Sequence, residues 1–298
     1  MIKYVSLHWK QLLLSTVRDS LSWMLMLITG IGALIAFLPD ETAERLRAFV
    51  NTGWTQVWPL IVVILIILAV ALLRNWPTTK AVYVDKKTDL KVIIECCDLL
   101  RQEGLKVIHT VDTFDMELNT IISPRSLHGA FLKQCQEQGV DIDALIDQAT
   151  ERVKPVRTNK SLPGRKEQYS LGTICPIEIK GEPYCCVAFT RLQPNGTIEI
   201  SKDEYIKCLT RMWRGLADPR VRHEVVNVAV MGNRFVDLPA EFSTEQKIDL
   251  MIQTFFASAR EKACCHTLRI CVHPNNVTDI DFEQYPVIIE HLAKRPVI

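Results

Sequence analysis

The sequence predicts two unlike parts: an N-terminal two-helix transmembrane hairpin, then an α/β domain with a mixed sheet between helices. Three observations carry this reading. Residues 20–39 and 51–73 contain no Asp, Glu, Lys or Arg. Beyond Arg74 short apolar runs alternate with amphipathic stretches, the pattern of strands and helices in turn. All ten cysteines lie beyond Arg74, without a C-x-x-C pair, as small hydrophobes do in a reducing compartment. The expected domains are 1–75 for the hairpin and 76–298 for the α/β part.

A bilayer core of about 30 Å needs about 20 apolar residues in a helix. Stretches 21–38 and 54–73 satisfy this, and Trp54 and Trp58 suit the membrane interface. The loop between them is acidic. Lys3, Lys10 and Arg18 precede the first span, and Arg74, Lys80, Lys86 and Lys87 follow the second. The positive-inside rule then places both termini in the cytoplasm. Residues 1–18 carry Val5, Trp9, Leu12 and Leu13 at helical spacing among basic residues, a pattern that suits a stretch lying on the inner leaflet. Neither span holds an ionisable group, so one hairpin offers no conduction path. Any permeabilisation would need a homo-oligomer.

The chain carries net +1, of which residues 1–74 hold +2. The remainder is near neutral, which argues against a nucleic-acid partner. Cys264, Cys265, His266, Cys271 and His273 match no standard zinc spacing, so no metal site is expected.

Within the α/β part, residues 90–95 and 105–111 read as strands. Residues 169–179 and 184–189 are β-rich, joined by a turn at 180–183. Residues 225–230 and 268–272 are short apolar runs, typical of strands buried on both faces. Ser201-x-x-Glu204 and Ser243-x-x-Gln246 are capping boxes that open helices to about 216 and 263. Helices are also predicted over 141–153 and 279–293. The basic stretch 152–166 reads as a surface loop.

Ligands of such sheets bind at the carboxyl ends of the strands. The loop after 105–111 is therefore the first candidate. In it Ser123 can cap a helix that has Pro124 at its first position. Free N–H groups there, with Arg125, Ser126 and Gly129 beside them, suit a phosphate. A second loop, Met231-Gly232-Asn233-Arg234-Phe235, follows the run at 225–230. Its glycine permits close approach of backbone to ligand.

These residues also carry a resemblance. Cys97-Asp98-Leu99-Leu100 is followed by 107–115, ending Phe114-Asp115, then by Ser123-Pro-Arg-Ser-Leu-His-Gly129 and Tyr169-Ser-Leu-Gly-Thr173. In this order they resemble a macro domain. More closely, they resemble the macro domain fused to membrane helices in the effector of type II Thoeris antiphage systems. The resemblance implies an ADP-ribose-type ligand and no resident cofactor. Asp98 would hold the adenine amino group, with Leu99 beside it. Asp112, Phe114, Asp115, Ser123, Arg125, Ser126, His128 and Gly129 would form the first loop around the ligand. Gly232, Asn233 and Arg234 would form the second, on the diphosphate. Three departures favour a reader of a modified nucleotide: Cys97 stands before the Asp where Gly is usual, Val111 replaces a common Asn, and the second loop has one glycine.

The resemblance further implies an antiviral defence effector of the bacterial inner membrane. Its partner would be a TIR-domain protein that consumes NAD and makes the nucleotide signal, histidine-ADP-ribose in this branch. Signal binding would drive oligomerisation and disrupt the bilayer. The expectation is a sensor and not an enzyme. The alternative is a membrane-tethered ADP-ribosyl hydrolase or phosphatase, for which Asp112, Asp115 and His128 are the candidate general bases.

Overall fold

No proline or glycine occurs between residues 2 and 29, and the chain there forms one helix. The computed structural model describes residues 2–36, 39–42, 44, 45, 48, 57–76, 78–232 and 242–294. Helix α1 (Ile2–Ala36) is 35 residues long, about 52 Å at 1.5 Å per residue. The membrane-length apolar stretch found within α1 is Leu12–Gly30, which overlaps the expected span at 21–38. Helix α2 (Val57–Arg74) has 18 residues, of which Ile61–Arg74 is the apolar stretch among described residues. Only α1 has a described stretch long enough to cross a membrane. Residues 37, 38 and 54–56 lie outside the described residues. The two helices meet where Asn75 Nδ2 donates to Asp19 Oδ2 at 3.0 Å and the Arg74 guanidinium stands 5.8 Å from the Trp23 ring. The chain divides into units Met1–Thr78 and Thr79–Ile298.

The second unit is built on one mixed sheet. Its strands are β1 (Lys80–Val84), β2 (Lys91–Cys96), β3 (Leu105–Val111), β6 (Ile174–Ile179), β7 (Glu182–Leu192), β9 (Val225–Ala229) and β10 (Thr267–Val272), in the order β1-β2-β10-β9-β3-β7-β6. The five central strands, β2 to β7 in that order, are parallel, and β1 and β6 add antiparallel edges. A short β8 (Ile198–Glu199) extends β7, and β4 (Arg157–Thr158) pairs with β5 (Glu167–Gln168) inside the stretch expected as plain loop.

Alternation along β7 fixes the two layers. Tyr184, Cys186 and Ala188 share a core with Phe131 of α3 (Leu127–Glu137) and Ile146 of α4 (Ile142–Thr150). Phe189, of opposite parity, packs edge-on against Tyr205 of α5 (Lys202–Leu216) at 5.7 Å. Behind α5, Trp213 meets Phe255 of α6 (Thr244–Glu261) at 5.6 Å. Helix α7 (Tyr285–Lys294) ends the described chain.

Several boundaries differ from expectation for local reasons. The run at 169–179 yields a strand only from Ile174, because the chain turns at 171–172. Helix α7 starts at Tyr285, not 279, because Asp281 Oδ1 takes the Glu283 N–H at 3.1 Å and holds a turn. Strand β1 was not foreseen; it is a five-residue edge strand with Val82 and Val84 exposed. The β6–β7 hairpin turns on Lys180 and Gly181, with φ +53° and +81°. Both residues left-handed is the two-residue turn whose twist suits a hairpin, and Gly181 adopts it without strain.

Both capping boxes form. Ser201 Oγ accepts the Glu204 N–H while Glu204 accepts the Ser201 N–H at 3.2 Å. Ser201→Ala is expected to lower stability by about 1 kcal/mol. Urea unfolding checks this, and an unchanged midpoint would remove the cap from the account.

Candidate functional site

Five parallel strands end on one side of the sheet, and their carboxyl ends enclose a cavity of about 660 Å³. Each strand contributes a rim. β2 leads into Cys97, Asp98 and Leu99; β10 into His273, Pro274 and Asn276; β9 into Val230 and Gly232; β3 ends at Val111; β7 brings Thr190. The first turn of α3 closes the remaining side with Ser123, Arg125, Ser126, Leu127 and His128.

Asp98 caps the single 3-10 turn Leu99–Arg101, its Oδ1 accepting the Leu100 N–H at 3.1 Å. Its carboxylate is half exposed and pairs with Arg101 at 3.4 Å. Asp98 is thereby a fixed anionic acceptor at the cavity rim, with buried Leu99 as its apolar neighbour.

The helix beyond the first loop starts later than the sequence suggested. Ser126, not Ser123, is the cap: its Oγ accepts the Gly129 N–H at 2.9 Å. Ser123 and Pro124 form the preceding turn, in which the Ser126 N–H donates to Ser123 O at 3.0 Å. A Cβ on Gly129 would sit 2.2 Å from Ser123 O and 2.8 Å from Pro124 Cα. Only glycine lets the turn fold down on the helix. The remaining orphan N–H groups of the first turn stay available to an anion.

Arg125 is exposed at the rim and has no ion pair among the described residues. Other arginines are committed elsewhere: Arg165 to Asp143 and Asp147 at 2.9 and 2.5 Å, Arg191 to Glu204 at 2.8 Å. Gly232 is held from behind, because the buried Lys247 ammonium donates to its carbonyl at 2.9 Å. Asn233 and Arg234 lie outside the described residues.

Four expected loop residues do not line the cavity. Asp112 is fully buried and already saturated: Oδ1 accepts the Leu192 N–H and Oδ2 the Gln168 amide, both at 2.9 Å. Burial raises its pKa despite those bonds. Asp115 accepts from Thr113 Oγ1 at 2.5 Å and from the Arg165 N–H at 2.8 Å, and its pKa is likewise raised by burial. Phe114, at φ +52°, packs on Tyr169 at 5.3 Å in the core. Gly129 supports the rim without being part of it. These four build the wall from behind.

His128 does line the cavity, yet only 4% of it is exposed. Burial pushes its pKa down to about 3, and a ring nitrogen lies 3.3 Å from Met116 Sδ. His109, on β3, joins it, with burial lowering its pKa to about 4. Both rings are neutral at pH 7. His109, Thr190, His273 and Asn276 were not foreseen. All four line the cavity at the carboxyl-terminal side of the sheet, where ligands of such sheets gather.

The comparisons with known proteins bear on this arrangement. The family model described as "Thoeris protein ThsA, Macro domain" matches residues 92–273. No match is found among curated proteins. Solved macrodomains of Oceanobacillus iheyensis are similar in structure. The form with MES bound shows 12% identity and TM-score 0.42, covering 71% of this chain and 99% of its own. The form with ADP shows 12% identity and TM-score 0.42, covering 71% and 98%. The family match takes in β2 through β10, every central strand of the sheet and more than half of the chain. The chain belongs to the Thoeris ThsA macro-domain family.

Proposed function

We propose that the cavity is a receptor for an ADP-ribose-type signalling nucleotide, and that the chain is a membrane-anchored antiphage effector. One observation carries the reading: a single 660 Å³ cavity is lined both by a carboxylate acceptor, Asp98, and by a helix N-terminus, the start of α3. Its volume falls within the range of about 300–1,000 Å³ usual for small-molecule sites. Adenine would donate its amino group to Asp98. The diphosphate would lie across the α3 N-terminus, Arg125 and the Gly232 turn.

The signal is histidine-ADP-ribose in this proposal, made by a TIR-domain partner from NAD. Binding can act only through its preference for one state of the protein. The favoured state is an oligomer that gathers N-terminal hairpins, made of α1 and α2 both spanning the inner membrane, and breaks the barrier. The two charge-free stretches, 20–39 and 51–73, support the hairpin. A sensor is preferred to a hydrolase because the candidate bases are ill placed. Asp112 and Asp115 do not line the cavity, and burial leaves His128 a weak base.

The test is calorimetric titration of the full chain in detergent micelles with NAD, ADP-ribose and histidine-ADP-ribose. Asp98→Asn keeps a good cap for Leu100 but offers adenine a donor in place of an acceptor. It is expected to weaken binding about tenfold or more, the equivalent of about 1.4 kcal/mol. Undiminished affinity in that variant would remove Asp98 from the site. Absence of ligand-dependent oligomers in detergent would sink the assembly step.

A further inference from the structure

Two lysines are buried among the described residues, Lys106 and Lys247. Lys106 is committed to structure: its ammonium bonds the Glu182 carboxylate and stands 5.0 Å from the Tyr184 ring. Lys247 sits where stability alone disfavours a cation. It closes the first turn of α6, whose N–H groups repel positive charge. Only 8% of it is exposed, and burial pushes its pKa down. A methionine would fill the same space without burying a charge.

What Lys247 reaches is the loop after β9. Its ammonium donates to the Gly232 carbonyl at 2.9 Å. The preceding carbonyl, Met231 O, is held in the same way, by the Tyr205 hydroxyl of α5 at 3.5 Å. Both peptides flanking Gly232 are thus pinned through their oxygens. A trans peptide points its N–H opposite to its C=O, and no described peptide is cis. The Gly232 N–H therefore points away from Tyr205. It has no hydrogen bond among the described residues, and Gly232 lines the cavity. Glycine at φ +82° adopts other conformations as readily as this one, so the pinning is what selects it. A charged donor does this better than a neutral one, because a bond from an ammonium is about twice as strong.

We propose that Lys247 is a positioning residue of the cavity: by holding the Gly232 carbonyl it selects the turn that presents the Gly232 N–H to an anionic group of the ligand. The lysine acts through the backbone and does not touch the ligand itself. That the anion is the diphosphate of a nucleotide rests on the function proposed above; the selection of the turn does not.

The dipeptide Met-Gly occurs once in the chain, at Met231-Gly232. Labelling methionine carbonyls with carbon-13 and glycine amides with nitrogen-15 therefore gives one coupled amide signal, from this turn. The test records it on the full chain in detergent micelles, with calorimetric titration of ADP-ribose and a melting curve beside it. The unmutated protein should give one sharp signal that ADP-ribose shifts. Lys247→Met should broaden or split the signal and weaken ADP-ribose binding about tenfold, while melting near the unmutated temperature. Lys247→Arg, which keeps charge and donors, should restore both. Tyr205→Phe removes the other hold and gives a second reading of the turn, again as a broadened signal. Lys106→Met should melt lower with signal and affinity intact. A signal that stays single and sharp in Lys247→Met and Tyr205→Phe, or a broadened one with undiminished affinity, overturns the inference. An unmutated protein that does not bind ADP-ribose sinks the nucleotide reading, and the Gly232 signal still decides whether Lys247 sets the turn.

Discussion

Two buried histidines are together expected to withdraw on the order of 5 kcal/mol of folding stability from this protein as the pH falls from 7 to 4. Both are held neutral in the fold. Burial lowers His109 to about 4 and His128 to about 3, from an ordinary 6.5. The unfolded chain takes up these protons at about pH 6.5, and the folded chain does not. A base with a depressed pKa stabilises the fold fully above 6.5 and loses that contribution as the pH falls toward 4 and 3. Buried acids oppose this. Asp249, raised to about 6 by burial and then by Glu245, and Asp112 and Asp115, both raised by burial, favour the folded state in acid and offset part of the loss. His128 is the deeper of the pair and should contribute more. The measurement is melting temperature against pH for the full chain, with His128→Leu beside it. The unmutated protein should lose stability steeply below pH 6.5, and the variant should follow a flatter curve. Parallel curves would show that His128 titrates normally.

The second large effect lies behind the cavity. Asp112→Ala is expected to lower stability by about 3 kcal/mol, since it strands buried donors. The carboxylate joins three segments: the end of β3, Leu192 at the end of β7, and Gln168 of β5. Asparagine cannot fully replace it. One amide oxygen can accept the Leu192 N–H, but the amide nitrogen would then face the Gln168 nitrogen. Gln168 cannot turn over, because its oxygen accepts two bonds from Arg157 at 3.0 and 2.7 Å. Asp112→Asn should therefore cost about 1–2 kcal/mol. Denaturant unfolding gives both values. At a temperature where the variants remain folded, ligand affinity should be nearly unchanged, because Asp112 does not line the cavity. Intact stability with lost binding would instead put the carboxylate on the ligand.

The contrast between Asp98 and Asp112 shows what could be read before folding. Both are single acids beside apolar strands, and the sequence offers no local mark to separate them. Asp98 stays at the rim because the chain leaves β2 in a 3-10 turn that it caps itself. Asp112 turns inward because β7 runs past Val111 and supplies Leu192 from 80 residues away. Such a partner is invisible to local pattern. Ser123 and Ser126 pose the same problem at shorter range. Either can cap a helix, and the close seat of Gly129 on Ser123 O decides for Ser126.

Local chemistry was sufficient where a segment's preference and its tertiary setting agree. The capping boxes at Ser201 and Ser243 and the apolar runs of β3, β9 and β10 belong to this kind. Each depends on periodicity or on neighbours within four residues, which the sequence displays directly. Tertiary structure alone decided which strand ends share a cavity and which carboxylates are spent on the backbone. Those facts follow from strand order, and strand order is set by which apolar faces can be buried together, a property of the whole chain.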